Sequence, residues 1–293
     1  MLVSLWIEAF RQLISNAIGP AFWLALSALT FFALAIAVKG LKGALNSARA
    51  AAEETRINAI LSAVDQLMVS PLLQALSVGA GVTLHALALR LGVHPNTSSL
   101  WATIGWAPTL VLTVFVGDFI GYWRHRAQHS RWLWPAHAVH HSDTALTWFS
   151  LERMHPIDRL GSMFDTVLLG ALGFPAWALA INVLVRHFYG YLIHADVPWT
   201  LGKAGLVFNS PAMHRWHHAR DVEFSGSNFA TVFSVFDRLF GTYYQPGPCE
   251  APLGVNEDMG RGAIGQYLYP LKVWFGIEAA PPAVANPAIV SES

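Results

Sequence analysis

The chain has 293 residues, of which 54% are hydrophobic and only 12% charged, and its 18 basic and 18 acidic side chains cancel at neutral pH. Soluble globular proteins carry about 25% charged residues, so this balance points to lipid, and the lack of basic excess argues against a nucleic-acid partner. The single cysteine, Cys249, excludes an internal disulfide framework.

Residues 22–38, FWLALSALTFFALAIAV, run 17 positions without a charge. With residues 19–21 the run reaches the about 20 residues a spanning helix needs. Lys39, Lys42, Arg49 and Arg56 follow this run and only Arg11 precedes it, the reverse of a cleaved signal peptide. The positive-inside rule then places residues 39–66 in the cytoplasm, as an exposed Ala-rich amphipathic helix. A second span is expected over about 68–92, an outer turn at GVHPNTSS (92–99), and a third span over 100–122 with Asp118 as its only charge. HRAQH (125–129) follows at once, amid an interfacial belt of Trp123, Trp132, Trp134, Arg124, Arg126 and Arg131. The apolar region 163–194, 32 residues long, is interrupted by GFP at 173–175. It is too long for one straight span and too short for two, which predicts a hairpin kinked at Pro175 that enters and leaves on one side. Beyond Pro246, IGQYLYPLKVWFGI (264–277) reads as a surface helix broken by Pro270, and EAAPPAVANPAIVSES as a disordered tail.

The expected fold is therefore all-α, an integral membrane helical bundle in three parts: membrane helices and a connecting helix (1–99), a catalytic region (100–245), and a C-terminal helix and tail (246–293). Counting spans brings every histidine cluster to the cytoplasmic face. In a helix, positions i, i+3 and i+4 share one side. His125 with His129, His137 with His140 and His141, and His214 with His217 and His218 are thus three combs of imidazoles. Imidazole is a strong ligand for iron, copper, nickel and zinc. Eight such groups exceed one metal's need, and His194, at the end of the hairpin, makes nine, enough for two metals with four or five nitrogens each. His85, His94 and His187 read instead as ordinary core or interface residues.

These boxes, H-x3-H, H-x2-HH and H-x2-HH, resemble the fatty acid hydroxylase / sterol desaturase superfamily of membrane non-haem diiron oxygenases. GDFIGYWRHRAQH, LWPAHAVHHSD, ERMHPID, IHADVP, NSPAMHRWHHARD and SNFATVFSVFDRLFGTYY extend the resemblance over roughly 117–244. The family carries further histidines between its second and third boxes. His194 matches one, but four positions earlier this chain has Gly190, so a nine-ligand or water-completed site is implied. The resemblance implies two iron ions, with zinc a plausible substitute, and O2 as co-substrate for hydroxylation or desaturation of a membrane lipid. Asp118 and Asp143 are candidates to orient the imidazoles, with His155 a weaker one, while Asn228 and Asp237 match the closing pattern in structural roles. The His-Pro-Gly-Gly motif of a fused cytochrome b5 domain is missing, so a separate electron donor is implied: a ferredoxin, cytochrome b5 or reductase. Basic residues at 124–131 and 215–220 offer a docking face for it. Substrate specificity is expected to lie in apolar side chains of 163–193.

Three rival readings are a membrane zinc hydrolase, a haem electron-transfer protein and a non-enzymatic metal carrier. The first lacks a glutamate inside any box, as in H-E-x-x-H. The second would pair histidines within facing spans, and the third would set ligands along the spans. The charge bias also predicts topology. Cysteines placed at positions 56 and 141 in a Cys249→Ser background should resist an impermeant thiol reagent in intact cells. Ready labelling at 141 from outside would overturn the one-sided arrangement.

Overall fold

The computed structural model describes residues 2–92, 98–220, 226–260 and 262–279, with backbone alone for 2–18, 20, 98 and 99. Most of the predicted outer turn and all but the start of the C-terminal tail lie outside the described residues.

Helix α1 (Leu2–Ala50) bends at Gly40, whose φ of 71° suits glycine and strains other residues. The bend falls just past the first predicted span. Lys39 there pairs with Asp196, tying the basic end of α1 to the end of the later hairpin. Helix α2 (Ala52–Val64) continues through a π-helical turn, Asp65–Val69, into α3 (Ser70–Arg90). The predicted connecting helix is thus not simply exposed: Ile57, Asn58, Leu61, Ser62 and Asp65 are buried along one side of it. The third predicted span is broken at Gly105 (φ 85°) into α4 (Ser98–Ile104) and α5 (Trp106–Gln128). Helix α6 (Trp134–His141) follows. The hairpin is α7 (Pro156–Ala171) and α8 (Ala176–His194), turned at Gly173 (φ 84°) with Pro175 before the first residue of α8. Two short helices, α9 (Pro211–His217) and α10 (Val235–Leu239), lie in the long loop region beyond it. Helix α11 (Ala263–Trp274) runs unbroken through Pro270, correcting the expected break. Pro270, Tyr269 and Val273 are buried, and Tyr269 and Val273 share a core with Ile57, Leu61, Trp134 and Val139, so packing compensates for the lost backbone bond.

Among the described residues there is no β-strand, only an isolated bridge between Ala219 and Leu253. Four segments are long and apolar enough to cross a membrane: Ala21–Ala50, Ala52–Arg90, Trp106–Gln128 and Ala176–His194. Their outward side chains, such as Phe22, Leu29, Leu72, Val78 and Val82, are exposed, as lipid-facing positions are in a bilayer protein.

Register among α5, α7 and α8 places the site. Gly117 lies under Asn182 and Gly121 under Arg186, so close that a Cβ at Gly121 would stand 1.9 Å from Arg186 Nη2. Helices α5 and α8 therefore run side by side in the same direction, and both end at the histidines. Arg124 Nε donates to Asp165 Oδ1 (2.9 Å) and Gln128 bonds Asp158, which sets α7 antiparallel to α5. Helix α2 buttresses the loops above. Asn58 Nδ2 donates to Asp143 Oδ2 (2.9 Å), Arg153 Nε donates to Asn58 Oδ1 (2.6 Å), and Arg153 pairs with Glu54.

His141 is 1% exposed, so a cysteine there would be silent from either side. Lys203, exposed between His194 and His214, carries the topology test instead. Asn58→Leu should leave Asp143 and Arg153 short of a partner inside the protein, costing about 2–4 kcal/mol. Thermal unfolding should then shift down by at least about 4 °C, and an unchanged Tm would show α2 to be a mere tether.

Candidate metal centre

The histidines are presented by helix ends. His125 sits in the last turn of α5 and His129 just past it. His137, His140 and His141 belong to α6, and His194 closes α8. His214 and His217 lie on α9, with His218 just past it. Helix α9 starts where the sequence signals it, with the Ser210 hydroxyl accepting from Met213 N (3.2 Å) and Pro211 in the first turn. The C-terminal ends of α5 and α8 point their carbonyl dipoles toward the same centre, which favours a cation there.

The nine side chains form two groups: His125, His129, His137, His141 and His217, and His140, His194, His214 and His218. Within each, one ligand atom per residue lies within 4.8 Å of every other, so each group could hold a metal ion. No Asp or Glu belongs to either group. Beyond them, His85 is exposed on α3, and His94 lies outside the described residues. His187 stands 3.4 Å from Glu152 and in neither group.

The hydrogen bonding shows what the centre is built for. His125 Nδ1 donates to Phe229 O (2.7 Å), His140 Nδ1 to Arg153 O (3.2 Å), His194 Nδ1 to Gly190 O (2.7 Å), His217 Nδ1 to Ser227 O (2.6 Å), and His137 Nδ1 to Asp158 Oδ2 (2.8 Å). A carbonyl only accepts, so each of these Nδ1 atoms carries the proton and each Nε2 is a bare lone pair. Yet Nε2 of His125 lies 3.0 Å from that of His137 and 3.0 Å from that of His217, and Nε2 of His140 lies 3.2 Å from that of His194. A second proton would relieve each clash, but burial opposes it. Burial, reinforced by neighbouring imidazoles, holds His129, His140, His141, His214 and His218 well below the usual histidine range and pushes His217 down to about 3. Facing lone pairs are stable only with a cation between them. A metal with nitrogens at about 2.0–2.1 Å would set adjacent octahedral ligands about 3.0 Å apart and tetrahedral ones about 3.3 Å apart, which brackets the observed spacing. Both nitrogens of His129, and Nδ1 of His214 and His218, lack any partner among the described residues. The residues present fit a pair of metals.

The expected roles of Asp118, Asp143, His155 and Trp134 are corrected. Asp118 touches no imidazole; it accepts from the backbone N–H of Thr231, Val232 and Phe233 at 3.1, 3.0 and 2.7 Å, holding the loop that carries Phe229. Asp143 likewise bonds Asn58, Ala145 and Ser150 rather than a histidine. His155 caps α7, accepting from Ile157 N (3.2 Å). Asn228 (φ 55°) bonds Met213 O and both backbone groups of Tyr244, and Asp237 accepts from Phe229 N and Ala230 N, which are bracing contacts. Trp134 is not an interfacial residue: it is buried, with ring centroids 5.0 Å from His129 and 5.1 Å from His141. The basic docking face also thins. Arg124 is committed to Asp165, Arg215 to Leu146 O and Asp196, and Arg220 to Leu253 O, whereas Arg131 is exposed over Trp132.

Sequence reading missed Asp158 and the carbonyls of Arg153, Gly190, Ser227 and Phe229. Asp158 had a signal, a carboxylate in the first turn of a helix inside a quoted motif. The carbonyls had none, because every residue has one.

With this geometry in place, comparison with known proteins is informative. Residues 110–242 match the family described as "Fatty acid hydroxylase". The chain is 30% identical over 164 residues to ornithine lipid hydroxylase of Rhizobium tropici, covering 55% of this chain and 50% of that protein. It is 29% identical over 137 residues to alkylglycerol monooxygenase of Caenorhabditis elegans, covering 46% and 27%. It is 33% identical over 137 residues to very-long-chain aldehyde decarbonylase of Oryza sativa subsp. indica, covering 45% and 51%. The chain thus spans about half or less of these relatives' own lengths. No solved structure matches it.

Purified protein should hold about two metal ions per chain, and His218→Ala should remove one of them while leaving the five-histidine group loaded. Asp158→Asn, which frees the His137 ring, should weaken metal binding by about 10–100-fold in a chelator competition. A wild-type ratio of one ion per chain would overturn the paired centre.

Proposed function

We propose that this chain, whose residues 110–242 match the fatty acid hydroxylase family, is a membrane-bound diiron oxygenase that hydroxylates a C–H bond of a lipid. The observation that carries the reading is the set of bare Nε2 pairs at 3.0–3.2 Å, which call for cations held by nitrogen alone. Iron bound there, supplied with O2 and with electrons from a separate donor, would provide the power to oxidise an unactivated C–H bond, which amino-acid side chains lack. Zinc accepts the same ligands and would load the site without redox activity.

All nine proposed ligands, His125, His129, His137, His140, His141, His194, His214, His217 and His218, lie within 100–245, the proposed catalytic region. The protein's own contribution is positional. The carbonyls and Asp158 fix the rings so that Nε2 points inward. Trp134 and Phe229 pack against His129 at 5.0 Å each, keeping water from that side. A cavity of about 190 Å³ bordered by His125, His137, His140, His194 and His214 leaves room for the reacting part of a substrate. An apolar groove of about 1120 Å³ between α3, α5 and α7 shares Arg124, Gln128 and Asp165 with it, and supports entry of a lipid from the bilayer. Two relatives, an ornithine lipid hydroxylase and an alkylglycerol monooxygenase, favour hydroxylation over desaturation. The segment that carries the positive bias packs onto the histidine layer through Lys39, Glu54 and Asn58, which supports a cytoplasmic site.

The balanced reaction consumes one O2, two electrons and two protons, and yields the alcohol and one water. Under 18O2, with reductant, the lipid product should carry one heavy oxygen. A desaturated product would carry none and be two mass units lighter. Product formed equally without O2, or labelled from water, would sink the oxygenase reading.

A further inference from the structure

Helix α11 lies beyond the residues that match the family, and one of its sides is apolar yet uncovered. Its buried side chains, Ala263, Gln266, Tyr269, Pro270 and Val273, occupy the other side. Three of them, Ala263, Tyr269 and Val273, pack with Ile57, Leu61, Trp134 and Val139 of α2 and α6. Ile264, Leu268 and Leu271, with Phe275 just past the helix end, follow the spacing i, i+4, i+7, i+11. At 3.6 residues per turn that keeps them within about 60° of one another, opposite the buried side. All four are exposed, Ile264 at 76% and Phe275 at 78%. The helix has one charged side chain, Lys272, which pairs with Glu278.

Two hydrogen bonds set α11 across the histidine end of α5 and α7. Near its C-terminus, Trp274 Nε1 donates to Trp132 O (2.9 Å), four residues past the end of α5. Near its middle, Tyr267 O accepts from Nε2 of His155 (3.3 Å), the residue that caps the start of α7. Because α5 and α7 are antiparallel, both bonds lie at the same end of that pair. Tyr267 and Trp274 are about 10 Å apart along the helix, so α11 crosses this end rather than standing away from it. Exposed apolar surface is continuous from there to the membrane helices. Trp123 and Leu133, both exposed, border the apolar groove between α3, α5 and α7, and Trp132 and Trp274 join Leu133 to Phe275. Arg126 lies over Trp123 and Arg131 over Trp132, 5.5 and 4.3 Å from the ring centroids. Aromatic rings with cations beside them form the belt where a bilayer meets water.

We infer that α11 is a membrane-surface helix, which lays Ile264, Leu268, Leu271 and Phe275 into the boundary between headgroups and acyl chains beside the groove. At 12 residues it is too short to span. An amphipathic helix of this kind lies in the plane of the interface, where its apolar side leaves water. A second copy of the chain is the poorer cover. Four side chains of at most roughly 200 Å² each, exposed by 40 to 78%, fall short of the about 800 Å² per partner that a stable interface takes. Since α11 packs on α6, which carries His137, His140 and His141, it ties the histidine layer to the bilayer surface by a route other than the spans. The inference rests on the four candidate spans and not on the oxygenase reading.

Nitroxide labels test this on the purified full chain in vesicles of phosphatidylcholine and phosphatidylglycerol. Ile264→Cys, Leu268→Cys, Leu271→Cys and Phe275→Cys are each made in the Cys249→Ser background and labelled. All four labels should collide with O2 in preference to a water-soluble nickel chelate, at a depth of about 5–10 Å. Val78→Cys, exposed on α3, should show the same preference, and Glu250→Cys, an exposed acidic position, the opposite one. Four separate positions keep the test standing if one variant fails to fold. Preference for the nickel chelate at 268 and 271 would put the stripe in water and overturn the inference. A label at 268 that neither reagent reaches, or one broadened by a second label nearby, would also overturn it, because the stripe would then be covered by another copy of the chain.

Discussion

Lone pairs that face one another inside the protein are the constraint on which the rest depends. His125 Nε2 stands 3.0 Å from two other imidazole Nε2 atoms, and no arrangement of neutral rings satisfies all three while the Nδ1 atoms hold their carbonyl and carboxylate partners. Burial disfavours imidazolium strongly enough to push His217 down to about 3. The folded chain therefore stores a repulsion that cations relieve, and metal binding and stability are coupled.

Holding that repulsion in place takes most of the polar structure around it. The loop carrying Ser227 and Phe229 is fixed from below by Asp118, from behind by Asp237, and through Asn228 to Met213 and Tyr244. Helix α2 does the same for the segment containing Arg153, whose carbonyl receives His140. These acids and amides look dispersed along the chain, but each ends one bond short of an imidazole. They hold the backbone that holds the ring. An N-terminal segment that resembles a simple membrane anchor is, by these contacts, part of the support of the centre.

The helices below meet two opposite demands. Their outer sides carry apolar residues exposed to the bilayer, whereas α5, α7 and α8 turn Arg124, Asp165 and Arg186 toward one another. Glycines 117 and 121 permit that approach, since a Cβ at either would collide with the α8 side chain above it. A cavity bordered by imidazoles is thereby set beside an apolar groove.

The likeness to the fatty acid hydroxylases, the membrane helices and the pairing of histidines at i, i+3 and i+4 were legible in the sequence because each is a local pattern: hydropathy over about 20 residues, or spacing over one helical turn. The kinked hairpin was legible from its length and from Pro175. The division of nine imidazoles into five and four was decided by tertiary structure, since His140 leaves its neighbour His141 to join His194, His214 and His218. Tertiary structure also decided that Asp158, not Asp118 or Asp143, meets a ring. Spacing along a helix says which side chains point together. It does not say which backbone carbonyl, 104 residues away for His125 but 13 for His140 and 10 for His217, will stand behind them. Those partners are set by packing between elements, and a carbonyl leaves no mark in the sequence.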